Sequence, residues 1–169
     1  MLAICDGIRS LPWTVRWICN SRVDTVDLEM LRAMKAAGCW MVCFGIESGD
    51  DTVLKMNKKE ATIEQARAAV KACKRAGLKV WTYFMLGMYG DTPETMGRTI
   101  RLSKELSGDL CNFALAAPYP GTEWGRIAES NGWLADVRWE SYDQNYSAIV
   151  DQPTCDHATV LKFQRRAYI

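Results

Sequence analysis

The chain carries almost no net charge: 21 basic against 20 acidic residues leave it at +1. Without a basic surplus, nothing advertises a nucleic-acid partner. It has one histidine, His157, which excludes a histidine-rich metal site built from this chain alone. No apolar run is long enough to span a bilayer. The opening Met1-Leu2-Ala3-Ile4-Cys5-Asp6 has no basic flank and is too short for a secretory signal. Hydrophobic residues reach 49%, which excludes a disordered chain, and 169 residues suffice for one domain with a core. Seven cysteines (Cys5, Cys19, Cys39, Cys43, Cys73, Cys111 and Cys155) are thinly spread. Their odd number and the globular composition speak against a disulfide framework and for a reducing, cytoplasmic setting.

What is present is a repeated grammar. Three apolar segments each run into a glycine-bearing polar turn: Phe44-Gly45-Ile46-Glu47-Ser48-Gly49, Met85-Leu86-Gly87-Met88-Tyr89-Gly90-Asp91-Thr92, and Ala117-Pro118-Tyr119-Pro120-Gly121-Thr122. Helical patterns come after them, as expected for strand, loop and helix repeated in a parallel α/β sheet. Ligands bind such sheets where the strands end, so these turns are the candidate working surface.

Strands are predicted at Val15–Asn20, Trp40–Ile46, Lys79–Leu86 and Leu110–Ala116, each reading as a nearly continuous apolar run. Helices are predicted from Leu28 (capped by Asp27), near Val53–Met56 (started by Asp50 or Asp51), after a Thr62/Gln65 capping box, from Pro93 to Leu106, and from Glu123 (capped by Thr122). After Gly132 the rhythm stops. Residues 1–132 read as an incomplete (β/α) barrel. Residues 133–169 read as a C-terminal extension that packs tryptophans and tyrosines and ends in a helix at about Asp156–Tyr168. Four strands do not close an eight-strand barrel, and they leave a raw edge. The chain therefore reads as part of something larger, and the edge at Val15–Asn20 is a candidate for pairing with another copy.

At this point the motifs resemble a known family. Trp17 to Asp24, Phe44 to Gly49, Val53 to Lys58, Gly87 to Thr92 and Pro118 to Thr122 occur in the order and spacing of strands three to six of the radical S-adenosylmethionine (radical SAM) domain, a partial barrel of six strands and six helices. The tail, from Trp139-Glu140-Ser141-Tyr142 to Tyr168, also resembles the segment C-terminal to that barrel. The likeness is strongest to the subgroup with an upstream cobalamin-binding domain. It implies a parent enzyme that cleaves S-adenosylmethionine reductively at a four-iron, four-sulfur cluster. The resulting 5′-deoxyadenosyl radical would abstract hydrogen or work with cobalamin in methyl transfer.

The resemblance also implies roles for particular residues. Arg22 would hold the methionine carboxylate, and Glu47, with Ser48 beside it, would meet the ribose hydroxyls or the amino group. Backbone groups of Met85, Leu86 and Gly87 would read adenine in the loop that includes Gly90, and Pro118 and Tyr119 would close the adenine side. Each has a purely structural alternative: Glu47 capping the next helix, an Arg22 ion pair with Asp24 or Glu47, turns that simply need glycine, and a rigid proline connector. The start of the helix after Gly90 is expected to present free amides. Lys55, Lys58 and Lys59 read as a solvated patch, the seven tryptophans as core, and His157 as a surface or helix-start residue.

One departure matters. The family's Cys-x3-Cys-x2-Cys cluster motif is not in this chain. Cys39 and Cys43 have its first spacing, but Ile46 stands at the third position. Four strand residues separate them by roughly 13 Å, too far to share one cluster, and they read as two small residues packed on one strand face. The missing cluster loop would belong to an upstream partner segment. The chain alone is expected to be catalytically inert, with an unidentified small-molecule substrate for the parent. Two other readings stay open: a small cluster-free enzyme with a Glu47 acid–base site, and a non-catalytic binding or assembly module.

Overall fold

Side-chain oxygens placed just before apolar runs decide where the helices begin. The computed structural model describes residues 1–136 and 138–169. In chain order the elements are α1 (Leu2–Arg9), β1 (Trp17–Ser21), α2 (Leu28–Ala36), β2 (Cys39–Glu47), α3 (Asp51–Met56), α4 (Ile63–Arg75), β3 (Lys79–Leu86), α5 (Pro93–Leu106), β4 (Leu110–Leu115), α6 (Glu123–Ser130), a 3₁₀ turn (Trp139–Ser141) and α7 (His157–Ala167). Asp27, Asp50, Thr62, Thr122 and Asp156 each accept a backbone N–H from the first turn of α2, α3, α4, α6 and α7. At α4 the Thr62/Gln65 bonds are reciprocal, as the spacing predicts.

The four strands lie parallel in the order β1-β2-β3-β4, an open sheet with β1 and β4 at its edges. Burial alternates along β3: Val80, Thr82, Phe84 and Leu86 are buried, while Trp81, Tyr83 and Met85 are half-buried. The apolar run there reads as buried on both faces; in the fold only one face is closed over.

The β1–β2 register runs Ile18↔Met41, Cys19↔Val42, Asn20↔Cys43 and Ser21↔Phe44, but Trp17 sits opposite Cys39. One step in β1 thus spans two in β2, a bulge at Trp40. A one-residue slip reverses the faces, so Cys39 and Cys43 point to opposite sides rather than sharing one. Their electrostatic neighbours agree: Cys39 interacts with Cys19, and Cys43 with Tyr83.

Two compact units make up the chain. The first comprises Met1–Ile46, Ala61–Tyr83 and Ser103–Asn112. Leu31, Met34, Val42, Cys73 and Val80 are among its most buried side chains. Gly38 follows α2 there at φ +91°, where a β-carbon would lie 1.9 Å from the Val15 carbonyl oxygen, so no side chain would fit.

The second unit comprises Glu47–Glu60, Phe84–Leu102 and Phe113–Ile169. Val53, Met88 and Ala116 form one of its apolar clusters, with Met85 against them. Tyr142, Ile149 and Val150 form another, joined by Tyr119, Trp124 and Trp133. The extension is tied to β4: Leu115 N–H donates to Gln144 O, and the Gln164 side chain donates to Phe113 O. Trp133 packs as expected, but Trp139 (69%) and Tyr146 (80%) remain exposed. No helix of the described residues is long and apolar enough to cross a membrane.

Candidate functional site

Glu47 ends β2 in the left-handed region, at φ +73°. A residue with a β-carbon holds that conformation at a cost of about 1 kcal/mol, so its surroundings must impose it. They do. Ser48 is fully buried; its hydroxyl accepts Asp50 N–H at 3.2 Å and lies 3.4 Å from Thr99 Oγ1. Gly49 N–H donates to Thr99 Oγ1 at 2.8 Å. Asp50 caps α3 and forms an ion pair with Arg98. The chain after β2 is thereby pinned to α5, and the Ser48 side chain is committed to that task.

The Glu47 carboxylate does not cap the next helix; Asp50 does. Instead Lys59 Nζ donates to Glu47 Oε1 at 3.1 Å, the two side chains 19% and 22% exposed. The solvated-patch reading fails for Lys59. Lys58 pairs with Glu123 of α6, and Asn57 Nδ2 donates to both Val53 O and Tyr89 O.

The turn after β3 is locked from two sides. Gly87 and Gly90 adopt φ +78° and +81°. The Asp91 carboxylate accepts Met88 N–H at 2.9 Å and Thr95 Oγ1–H at 2.7 Å. Gln152 accepts Gly90 N–H at 3.0 Å and donates to Met88 O at 2.9 Å. Thr92 and Thr95 exchange side-chain-to-amide bonds at the start of α5. The amides expected to be free are therefore largely engaged within the protein. Leu86 O accepts Ala116 N–H, and Met85 lies half-buried against Val53, Met88 and Ala116.

Burial pushes the Asp91 carboxyl up from 3.8 to about 6, against the pull of its hydrogen bonds. A folded value above the unfolded one means that the native state holds the proton more tightly. That stabilisation is complete below about pH 4 and is lost as pH rises through about 6. Asp91→Asn removes the titration. Urea unfolding of both proteins near pH 4.5 and near pH 7.5 should show the variant gaining on wild type by roughly 2 kcal/mol between the two conditions. A constant difference would mean that Asp91 titrates normally.

Pro118 is buried and Tyr119 half-buried. The Tyr119 hydroxyl donates to Tyr142 O at 3.1 Å, and the two rings stack at 5.6 Å. Tyr119 is therefore anchored inward on Tyr142. Arg22 lies in the first unit, exposed, in a bidentate pair with Asp24 (Nε–Oδ1 2.9 Å, Nη2–Oδ2 2.7 Å). Glu47, Ser48, Met85, Leu86, Gly87, Gly90, Pro118 and Tyr119 all belong to the second unit. They lie at or just after the C-terminal ends of β2, β3 and β4, along one edge of a parallel sheet.

Sequence reasoning misses Lys59, Asp91, Thr99 and Gln152. An acidic residue directly after a turn glycine is a readable signal for Asp91. For the others nothing local points to the contact, since each partner lies 12 to 64 residues away.

The chain as a whole has counterparts among known proteins. Residues 3–103 match the profile of the Radical SAM superfamily. An uncharacterised methyltransferase of Pyrococcus horikoshii is 35% identical over 158 residues, covering 92% of this chain and 34% of that protein. The anaerobic magnesium-protoporphyrin IX monomethyl ester cyclase of Rubrivivax gelatinosus is 29% identical over 121 residues, covering 70% of this chain and 22% of that protein. In fold, the chain superposes on the radical S-adenosylmethionine methyltransferase TsrM of Kitasatospora setae with a TM-score of 0.69 at 20% identity, covering 98% of this chain and 34% of that one. The chain belongs to the radical SAM superfamily. It spans about a third or less of the length of these relatives.

The family implies an iron–sulfur cluster and S-adenosylmethionine. Cys39 and Cys43 are buried on opposite faces of β2, and no three candidate metal-binding side chains converge among the described residues. Cysteines so placed do not fit a cluster, which needs thiolates converging from a loop. At the strand-end edge Lys59 engages Glu47 through Oε1, and Glu47, Gly87 and Gly90 all stand in left-handed backbone.

Proposed function

We propose that this chain is the nucleoside-holding part of a radical SAM enzyme. Glu47 accepts hydrogen bonds from the ribose hydroxyls or the amino group of S-adenosylmethionine. The backbone of Met85–Gly87 lies against adenine, and the Pro118–Tyr119 loop closes that side. The observation that carries this reading is Glu47 itself: a carboxylate at a strand end, in strained left-handed backbone, steered by Lys59. Its partner is an ammonium rather than a second carboxylate, which favours binding over acid–base catalysis.

When bound, the cofactor supplies the methyl or radical chemistry of the family. The reductive step is not assigned to this chain, whose cysteines do not fit the cluster. The rest of the domain adds along the edge of β1, where Ile18 is exposed. The enzyme works in the cytoplasm. Relatives named as methyltransferases, and fold neighbours solved with bound cobalamin, support cobalamin-linked methyl transfer as the parent reaction.

Calorimetric or NMR titration of the chain with S-adenosylmethionine and with S-adenosylhomocysteine tests the reading. Glu47→Gln should weaken both by about tenfold or more, the worth of a charge-assisted hydrogen bond. Unchanged affinity would refute a nucleoside role for Glu47.

A further inference from the structure

Gln152, in the C-terminal segment, reads both polarities of the Gly87–Gly90 turn. It is buried, at 6% exposure. Its Oε1 accepts Gly90 N–H and its Nε2 donates to Met88 O. The amide orientation is dictated by the partners, since an N–H needs the oxygen and a carbonyl needs the nitrogen. Gln152 is itself held in a tight turn, with Cys155 N–H donating to Gln152 O at 3.0 Å. That turn leads straight into α7, whose Val160 lies where a Gly87 side chain would be. Asp91 takes Met88 N–H. The turn after β3 is thus clamped by its own next residue and by a segment some sixty positions further on.

We propose that Gln152 is a positioning residue for the nucleoside site: through its paired amide bonds the C-terminal segment sets the Gly87–Gly90 backbone and so the affinity for the adenine side of the ligand. The inference rests on the reading of that turn as the adenine-facing loop. An amide is suited to the task because one group satisfies a donor and an acceptor without bringing a charge beside the buried Asp91. A carboxylate in its place would accept from Gly90 but leave Met88 O unpaired, and would add a second carboxylate to a turn that Asp91 already binds. A protonated carboxyl would restore both bonds.

That difference yields a test which a general packing role does not pass. S-adenosylhomocysteine is titrated into wild type, Gln152→Ala and Gln152→Glu at about pH 5 and about pH 8. Affinities are expressed relative to wild type at each pH, which divides out Asp50 with its partner Arg98, Cys155 and the Asp151–His157 pair wherever they act independently of position 152; any coupling of the new carboxyl to Asp91 is part of the Gln152→Glu effect that the test reads. Gln152→Ala should bind about tenfold more weakly at both pH values. Gln152→Glu should approach wild type at the lower pH and fall about tenfold at the higher one. Amide hydrogen exchange gives a ligand-free readout: Gly90 N–H should exchange about tenfold faster in Gln152→Ala.

Wild-type affinity and Gly90 exchange in Gln152→Ala would overturn the inference, as would a Gln152→Glu effect that is the same at both pH values. If the Gln152 variants bind normally while Glu47→Gln weakens binding, only this inference fails. If no protein binds, or Glu47→Gln binds as wild type does, it is the nucleoside reading that fails.

Discussion

Gly49→Ala is expected to destabilise the protein by about 3 kcal/mol or more, among the largest single effects available in the second unit. A β-carbon at Gly49 would sit 2.6 Å from the Arg98 carbonyl carbon and oxygen and 2.6 Å from Thr99 Cα. All three are backbone atoms of α5, so no rotamer change relieves the clash. Either α5 shifts outward or the chain after β2 withdraws. Withdrawal would break the Gly49–Thr99 bond, disturb Ser48 and loosen the Asp50–Arg98 pair. Denaturant unfolding checks the claim. A cost under about 1 kcal/mol with an unchanged slope would show that the loop and α5 are not in the described contact.

Gly87→Ala should cost about 2–3 kcal/mol from two separate sources. One is the left-handed backbone, worth about 1 kcal/mol for alanine. The other is contact with Val160, whose Cγ1 and Cγ2 would lie 2.9 and 3.1 Å from the new β-carbon. Here the obstacle is a side chain on α7, which makes the two sources separable. Val160→Ala opens the space. In a double-mutant cycle the pair should show favourable coupling of about 1 kcal/mol, leaving only the backbone penalty. Strictly additive effects would mean that α7 does not pack on the turn.

How far the sequence leads differs by element, for physical reasons. Strand β3 is legible at Lys79–Leu86, where the structure has it, because glycines at positions 77 and 87 bound a nearly continuous apolar run. The helix starts at Asp27, Thr62 and Thr122 are equally legible, since a capping oxygen and its amide lie within three residues. The strand-end placement of Glu47 and Gly87 comes from the same periodicities. What resists reading is anything whose cause lies far along the chain. The bulge at Trp40 depends on how β1 pairs with β2, so strand alternation alone puts Cys39 and Cys43 on one face. Lys59 looks like one of three solvated lysines until folding brings Glu47 beside it. Glycine at 87 is marked as special by its turn, but the reason includes Val160, which no local pattern names. Flanking prolines lead to the expectation that Tyr119 projects outward; Tyr142 turns it inward.

The contact between Gly49 and α5 has a consequence for how the edge moves. Helix α5 starts directly after the turn that holds Gly87 and Gly90, and halfway along it receives the backbone C-terminal to Glu47. Both segments are therefore fastened to one rod, so a substitution that displaces α5 should disturb the chain after Glu47 and the end of the Gly87–Gly90 turn together.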